Sequence, residues 1–265
     1  MAASSAPRIT RTESSRWVRD PVVLITISAL IVASAALTYL AISVATGSTS
    51  SGGNGVQLQT DTTLTDESTN DDLVSMARSS LTMLVPIAAI IVGVRFAGGE
   101  LTSGALLQIG VAARRLRFLF AVRMLLVAII AGITGAATAA VTLAATDIAR
   151  AQFTDLAHLT VWETDGSPIF GAAMQALVIA LLAFGLSALT RRPIVITICM
   201  LVYIIGLEPV LSGLVGDASV WLPRTATSEL MLPQLELAHV LPTAFCALLL
   251  ALTAVASLRR DRVAR

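Results

Sequence analysis

The sequence predicts an all-α integral membrane protein with six transmembrane helices, and three observations carry that prediction. Hydrophobic residues make up 55% of the 265 and charged residues only 13%, against roughly a quarter charged in ordinary soluble domains. The apolar residues fall in runs of membrane-crossing length, and the mean hydropathy is +0.82. A soluble fold cannot hide that much apolar surface, so lipid must be the solvent for much of the chain. Finally, the charges are sorted steeply between the two sides that six crossings would create.

The chain reads as one transmembrane domain over residues 1–265. A cytoplasmic segment, 1–21, precedes a first span at 22–45, which has no charge. At about 1.5 Å per residue it covers the roughly 30 Å of a hydrocarbon core. It is too long for the apolar part of a signal peptide, about 7–15 residues. Within the first segment Thr10 and Glu13 fit a capping box, which predicts a short surface helix carrying Trp17. In the outer loop 46–78, Gly47–Asp72 is rich in Gly, Ser, Thr and Asp and reads as flexible, and a helical run-in follows at 73–80. The second span is 79–97; Pro86 lies inside it and predicts a kink. A cytosolic segment, 98–117, leads to the third span, 118–146. An outer loop, 147–167, and the fourth span, 168–190, follow, and Arg191-Arg192-Pro193 makes a tight inner turn.

The fifth span, 194–215, is expected to break. Its first fourteen residues reach roughly 21 Å, too short to cross, and Glu208-Pro209 then interrupts it. Short outer re-entrant helices are expected over 216–236. The sixth span, 237–258, contains Pro242, and a basic tail, 259–265, closes the chain.

Orientation follows from arginine. With the N-terminus inside, the inner segments hold 15 Arg against four acids, and the outer ones three Arg against 12 acids. By the positive-inside rule both termini are cytoplasmic, which makes the chain a multi-pass protein of the cell membrane.

Composition also excludes chemistries. There is no Lys, so no P-loop ATPase site and no Schiff base can form. Cys199 and Cys246 lie in apolar runs and read as buried packing residues; no cluster suggests a metal. No basic block with interleaved aromatics points to nucleic acid. Ser187 and His239 superficially suggest an intramembrane protease, but they fall at opposite ends of their spans, roughly 20–30 Å apart. The chain is therefore not expected to be an enzyme.

Three features bear on function. Glu208 is the only carboxylate inside a span, and it either lines a path or merely meets water at a helix end. Gln175 either bonds across helices or lines the same path. Gly132, Gly135, Ala136, Ala139 and Ala140 form a small-residue surface suited to close helix contact, within the chain or between copies.

The segment between spans two and three is the most informative. Gly98-Gly99 allows a turn, and Glu100, Leu101, Gly104, Leu106, Leu107, Ile109 and Val111 precede Arg114, Arg115 and Arg117. So much apolar surface in the cytosol predicts a short helix over 100–113 packed on something, either the chain's own helix ends or a soluble partner. The run from Arg95 through Glu100, Gly104-Ala105-Leu106 and Arg114-Arg115 to Arg123 resembles the permease subunits of ABC type-2 exporters. Three positions depart from that family: Ala105 for Thr, Val111 for Pro and Arg123 for Lys. The six-span layout, the broken fifth span and the tail Arg259-Arg260-Asp261 are similar too.

That resemblance implies a transport subunit energised by a separate soluble ATP-binding-cassette ATPase, which would hold ATP and Mg; this chain needs no cofactor. It implies that the coupling helix is built from Glu100, Leu101, Gly104, Leu106, Leu107, Arg114 and Arg115, and that a second permease protomer, identical or related, completes the path. The few polar groups in the spans suit a hydrophobic or amphiphilic cargo such as a drug, lipid or peptide antibiotic. The alternative is a six-span carrier, channel or assembly factor that works without an ATPase.

Overall fold

The computed structural model describes residues 21–47, 64, 69–101, 116–152, 156, 158–160, 167–231, 245, 246, 249, 250 and 253. Every regular element among them is helical. Four long helices come first: α1 (Pro21–Gly47), α2 (Asn70–Leu101), α3 (Leu116–Gln152) and α4 (Ser167–Thr190). Next, α5 (Pro193–Leu201) widens into a π-helical stretch, Val202–Leu207, and continues as α6 (Glu208–Val215). A 3₁₀ turn (Gly216–Trp221), the short α7 (Pro223–Ser228) and a last 3₁₀ turn (Glu229–Met231) return the chain to the bundle. Five helical stretches are long and apolar enough to cross a membrane: Val23–Thr46, Asn70–Ala97, Ala121–Gln152, Pro168–Thr190 and Pro193–Val215.

Local chemistry explains several boundaries. Thr69 precedes α2, and the Asp72 carboxylate accepts from both the Thr69 amide (2.8 Å) and its hydroxyl (2.9 Å). With the Asp72 and Leu73 amides donating to the Thr69 carbonyl, these bonds begin the helix at Asn70, three residues before the expected helical run-in. At its other end α2 runs through Gly98-Gly99 to Leu101, so the glycine pair does not make the expected turn. Glu100 therefore lies in the last turn of α2, not in the first turn of a separate helix. Residues 102–115, the rest of the expected coupling helix, lie outside the described residues. So do the N-terminal capping box, the C-terminal tail and most of the sixth span. Phe245, Cys246, Leu249, Leu250 and Thr253 of that span are helical.

Helix α4 is the centre of the bundle, packing on α2, α3, α5 and the return helices. Two glycines let its neighbours approach. A Cβ at Gly93 of α2 would overlap the Ala180 carbonyl, and one at Gly135 of α3 would meet the Ala172 carbonyl and lie 2.8 Å from the Ala176 Cβ. The small-residue surface of α3 is thus used inside the chain at Gly135. The main core follows from these approaches: Val85, Ile90, Phe96, Val127, Ala131, Ile179, Phe184 and Met200 are buried together. Beyond it, Ile42, Leu73, Met76, Leu143 and Ala149 pack with Leu64, Leu156 and Leu159 at the end where α1 finishes and α2 begins. Leu64 belongs to the loop expected to be flexible, yet it is buried there. Hydroxyl bonds join helices α1, α2 and α3, with Ser34 to Thr142 at 2.8 Å and Thr38 to Ser80 at 2.5 Å.

Apolar side chains also cover the outside. Leu24, Ile25 and Val32 of α1, Leu125, Ile129 and Ile133 of α3, and Ile194, Ile198 and Val202 near α5 are exposed. Cys199 is exposed on the same helix, against the expectation of burial, whereas Cys246 is buried. The reason is general: where lipid is the solvent, an apolar run does not distinguish packing face from lipid face.

Candidate functional site: the buried Glu208–Arg224 junction

The expected break at Glu208-Pro209 does not occur. The chain stays helical from Pro193 to Val215 because the helix widens before the proline. The Glu208 amide donates to the Tyr203 carbonyl, five residues back, and the wider turn accommodates the ring that would otherwise clash. The turn comes later, at Gly216, whose φ of 57° suits a residue without a Cβ. From there the chain folds back, and α7 packs on α4 and on α2.

This return brings the start of α7 onto Glu208. Leu222 stands where a helix usually has a capping side-chain oxygen; the Ala226 amide donates to its carbonyl at 2.7 Å. Its aliphatic side chain cannot cap. Glu208 does so from the neighbouring helix: its Oε1 accepts from the Arg224 amide (2.7 Å), the Thr225 amide (2.9 Å) and the Thr225 hydroxyl (3.4 Å). Glu208 is 1% exposed, and its Oε2 has no hydrogen-bond partner among the described residues. A carboxylate suits this position, since the first amides of a helix carry partial positive charge.

The Arg224 side chain reaches the other way. Its Nε donates to the Thr82 carbonyl of α2 at 3.1 Å, and its Nη1 donates to the Ile204 carbonyl of the π-helical stretch at 3.2 Å. One residue therefore touches three elements. Sequence reasoning counted Arg224 only as an outer-loop charge. The available signal was its place in Pro223-Arg224-Thr225, a helix start that brings an arginine but no capping side chain.

Among the described residues, the other expected site residues are not hydrogen-bonded to this junction. Gln175 is fully buried on α4, and neither amide atom has a partner among the described residues. It shares a face with Gly171, which abuts Leu230 and Met231, and with Val178, which packs on Ala226, Cys246 and Leu250. Glu208 and Gln175 thus border the same return segment. Glu100 and Leu101 end α2; Gly104, Leu106, Leu107, Arg114 and Arg115 lie outside the described residues. Arg123, the position at which the resembled family has Lys, is 0% exposed. Ser187 is buried as well, with its hydroxyl unpartnered among the described residues.

No family model, curated protein or solved structure matches this chain. What the junction can do chemically is limited: one oxygen of its carboxylate is occupied by amides, and its guanidinium donates to carbonyls. That is the chemistry of holding segments together, not of bond breaking.

Proposed function

We propose that the chain is the membrane-spanning permease subunit of an ATP-binding-cassette transporter, an exporter of a hydrophobic or amphiphilic compound, driven by a separate ATPase. The observation that carries the reading is the segment 101–115 between two apolar helices. It offers Leu101, Leu106, Leu107, Ile109 and Val111 and ends in Arg114-Arg115. Placed in the cytosol by the arginine asymmetry, that apolar surface fits a soluble partner, and the arginines fit acidic groups on it. The helix that turns back at Gly216 supports the same reading, because its return segment would be re-entrant in the outer leaflet. A second protomer completes the path, and six spans place both termini in the cytoplasm of a plasma-membrane protein.

The engagement of Glu208 favours this over a proton-coupled carrier. Such carriers place several ionisable groups at mid-depth. Here Glu208 is the only buried carboxylate among the described residues, and it is committed to α7.

The test is to look for a neighbouring reading frame that encodes a Walker-motif ATPase and to reconstitute that protein with this chain. The pair in proteoliposomes should move an amphiphilic dye only with ATP. Leu106→Asp and Leu107→Asp place a charge in the proposed interface and should abolish co-purification of the ATPase while the chain still inserts. Full binding and transport by both variants would make the segment a self-packed connector. Transport without any ATPase would establish the carrier or channel reading instead.

A further inference from the structure

Two prolines explain why Arg224 bonds where it does. In an α-helix the Thr82 carbonyl would accept from the amide of residue 86, but Pro86 has none. In the π-helical register the Ile204 carbonyl would accept from residue 209, and Pro209 has none; the amide of Glu208 is already given to Tyr203. Both carbonyls are therefore left without an amide by proline, and both receive the guanidinium of Arg224, at 3.1 and 3.2 Å. A carbonyl without a donor in an apolar interior is costly. The planar guanidinium holds several N–H groups in a fixed fork, so one side chain can serve two helices at once. Its backbone amide completes the junction by donating to Glu208.

We infer that Arg224 is a latch: it replaces two amides missing at Pro86 and Pro209, and it thereby straps α7 across α2 and the π-helical stretch in a single releasable contact. Without Arg224 the return segment keeps its cap on Glu208 but loses its hold on α2. The prolines then have a role of their own, which is to present the acceptors that the strap closes on. The inference concerns how the return segment is held and stands whatever the chain transports.

The test reads the strap directly. Ala226 is 0% exposed on α7, so Ala226→Cys, in a Cys199→Ser, Cys246→Ala background, reports release of α7 through its rate of modification by a water-soluble maleimide. Arg224→Gln should speed that reaction by about tenfold or more, since tenfold corresponds to about 1.4 kcal/mol and a bond from a charged donor is worth at least that. Arg224→Lys, with a single point of donation, should fall between. Pro86→Ala should also speed it, because the restored amide of residue 86 competes for the Thr82 carbonyl. The decisive comparison is the combination: adding Arg224→Gln to Pro86→Ala and Pro209→Ala should accelerate labelling much less than it does alone. A cysteine at Ala183, 0% exposed on α4, should stay protected throughout and shows that the variants are folded. The inference is overturned if Arg224→Gln leaves Ala226→Cys as protected as before. It is equally overturned if the effect of Arg224→Gln is the same with and without the prolines, since the arginine would then be a packing residue unrelated to their carbonyls.

Discussion

Two glycines three residues apart on α3 should respond to the same substitution with opposite sign. An alanine Cβ at Gly132 would find its nearest neighbour, the Ala173 carbonyl oxygen, at 4.0 Å, whereas at Gly135 it would lie 2.8 Å from the Ala176 Cβ and 2.9 Å from the Ala172 carbonyl carbon. Both sites lie inside one helix, so both gain the intrinsic advantage of Ala over Gly, about 0.8–1 kcal/mol. At Gly132 nothing opposes that gain. At Gly135 the obstruction is the backbone of α4, which cannot rotate aside, so α3 and α4 must move apart; overpacking of this kind costs about 1–3 kcal/mol. Loss of the dense α3–α4 contact adds to it. Gly132→Ala should therefore be up to about 1 kcal/mol more stable than the parent, and Gly135→Ala up to about 2 kcal/mol less stable. The assay is equilibrium unfolding of the purified chain in mixed micelles with increasing denaturing detergent, followed by loss of helix signal. If Gly135→Ala is as stable as Gly132→Ala, α3 and α4 are not in the close contact described, and the account of α4 as the central helix fails with it.

Other outcomes follow from single contacts. Glu208→Gln retains a carbonyl oxygen to cap α7 and should unfold near the wild-type midpoint, whereas Glu208→Ala should lose about 0.5–2 kcal/mol, the usual value of an N-cap; equal losses in the same unfolding assay would refute capping. A change in transport by Glu208→Gln without any change in stability would show that the carboxylate also lines the path. The Ser34–Thr142 bond should couple by about 0.6 kcal/mol in a double-mutant cycle of Ser34→Ala and Thr142→Val, in line with hydroxyl and amide bonds between membrane helices; coupling near zero would remove it from the packing of α1. Topology is tested with an impermeant thiol reagent on whole cells, using single cysteines at Ser51 and Ala218, which should react, and at Ser4 and Ala264, which should not.

Much of this architecture could be read from the residues because lipid imposes simple rules. A run of about 20 apolar residues must be helical to satisfy its own amides, so spans one to five appear where their apolar runs lie. The helix that continues through Pro86 without a break follows from the same rule. Sequence was less able to place helix ends. The Thr69–Asp72 cap lengthened α2 at its start, and the helix ran on through Gly98-Gly99, because polar turns beyond a span are set by local hydrogen bonds that hydropathy does not register.

Glu208 illustrates the division. Its residue type, depth and neighbouring proline could be read from the chain, and they marked it as unusual. Its partners could not, because they lie 16 and 17 residues away across a turn that falls at Gly216 and not at Pro209. The break was expected at Pro209; the π-helical widening, which has no distinctive composition, carried the helix on to Gly216. Likewise, the small residues of α3 announced a close contact, but only packing showed that Gly135 meets Ala172 and Ala176 of the same chain. Sequence alone determined that this is a helical membrane protein, with its apolar runs and its arginine asymmetry, because those are properties of single segments against a solvent. Tertiary structure decided what faces Glu208, Arg224 and Gly135, because satisfying a buried polar group or admitting a close approach depends on a second segment, and apolar periodicity in lipid does not say which segment that is.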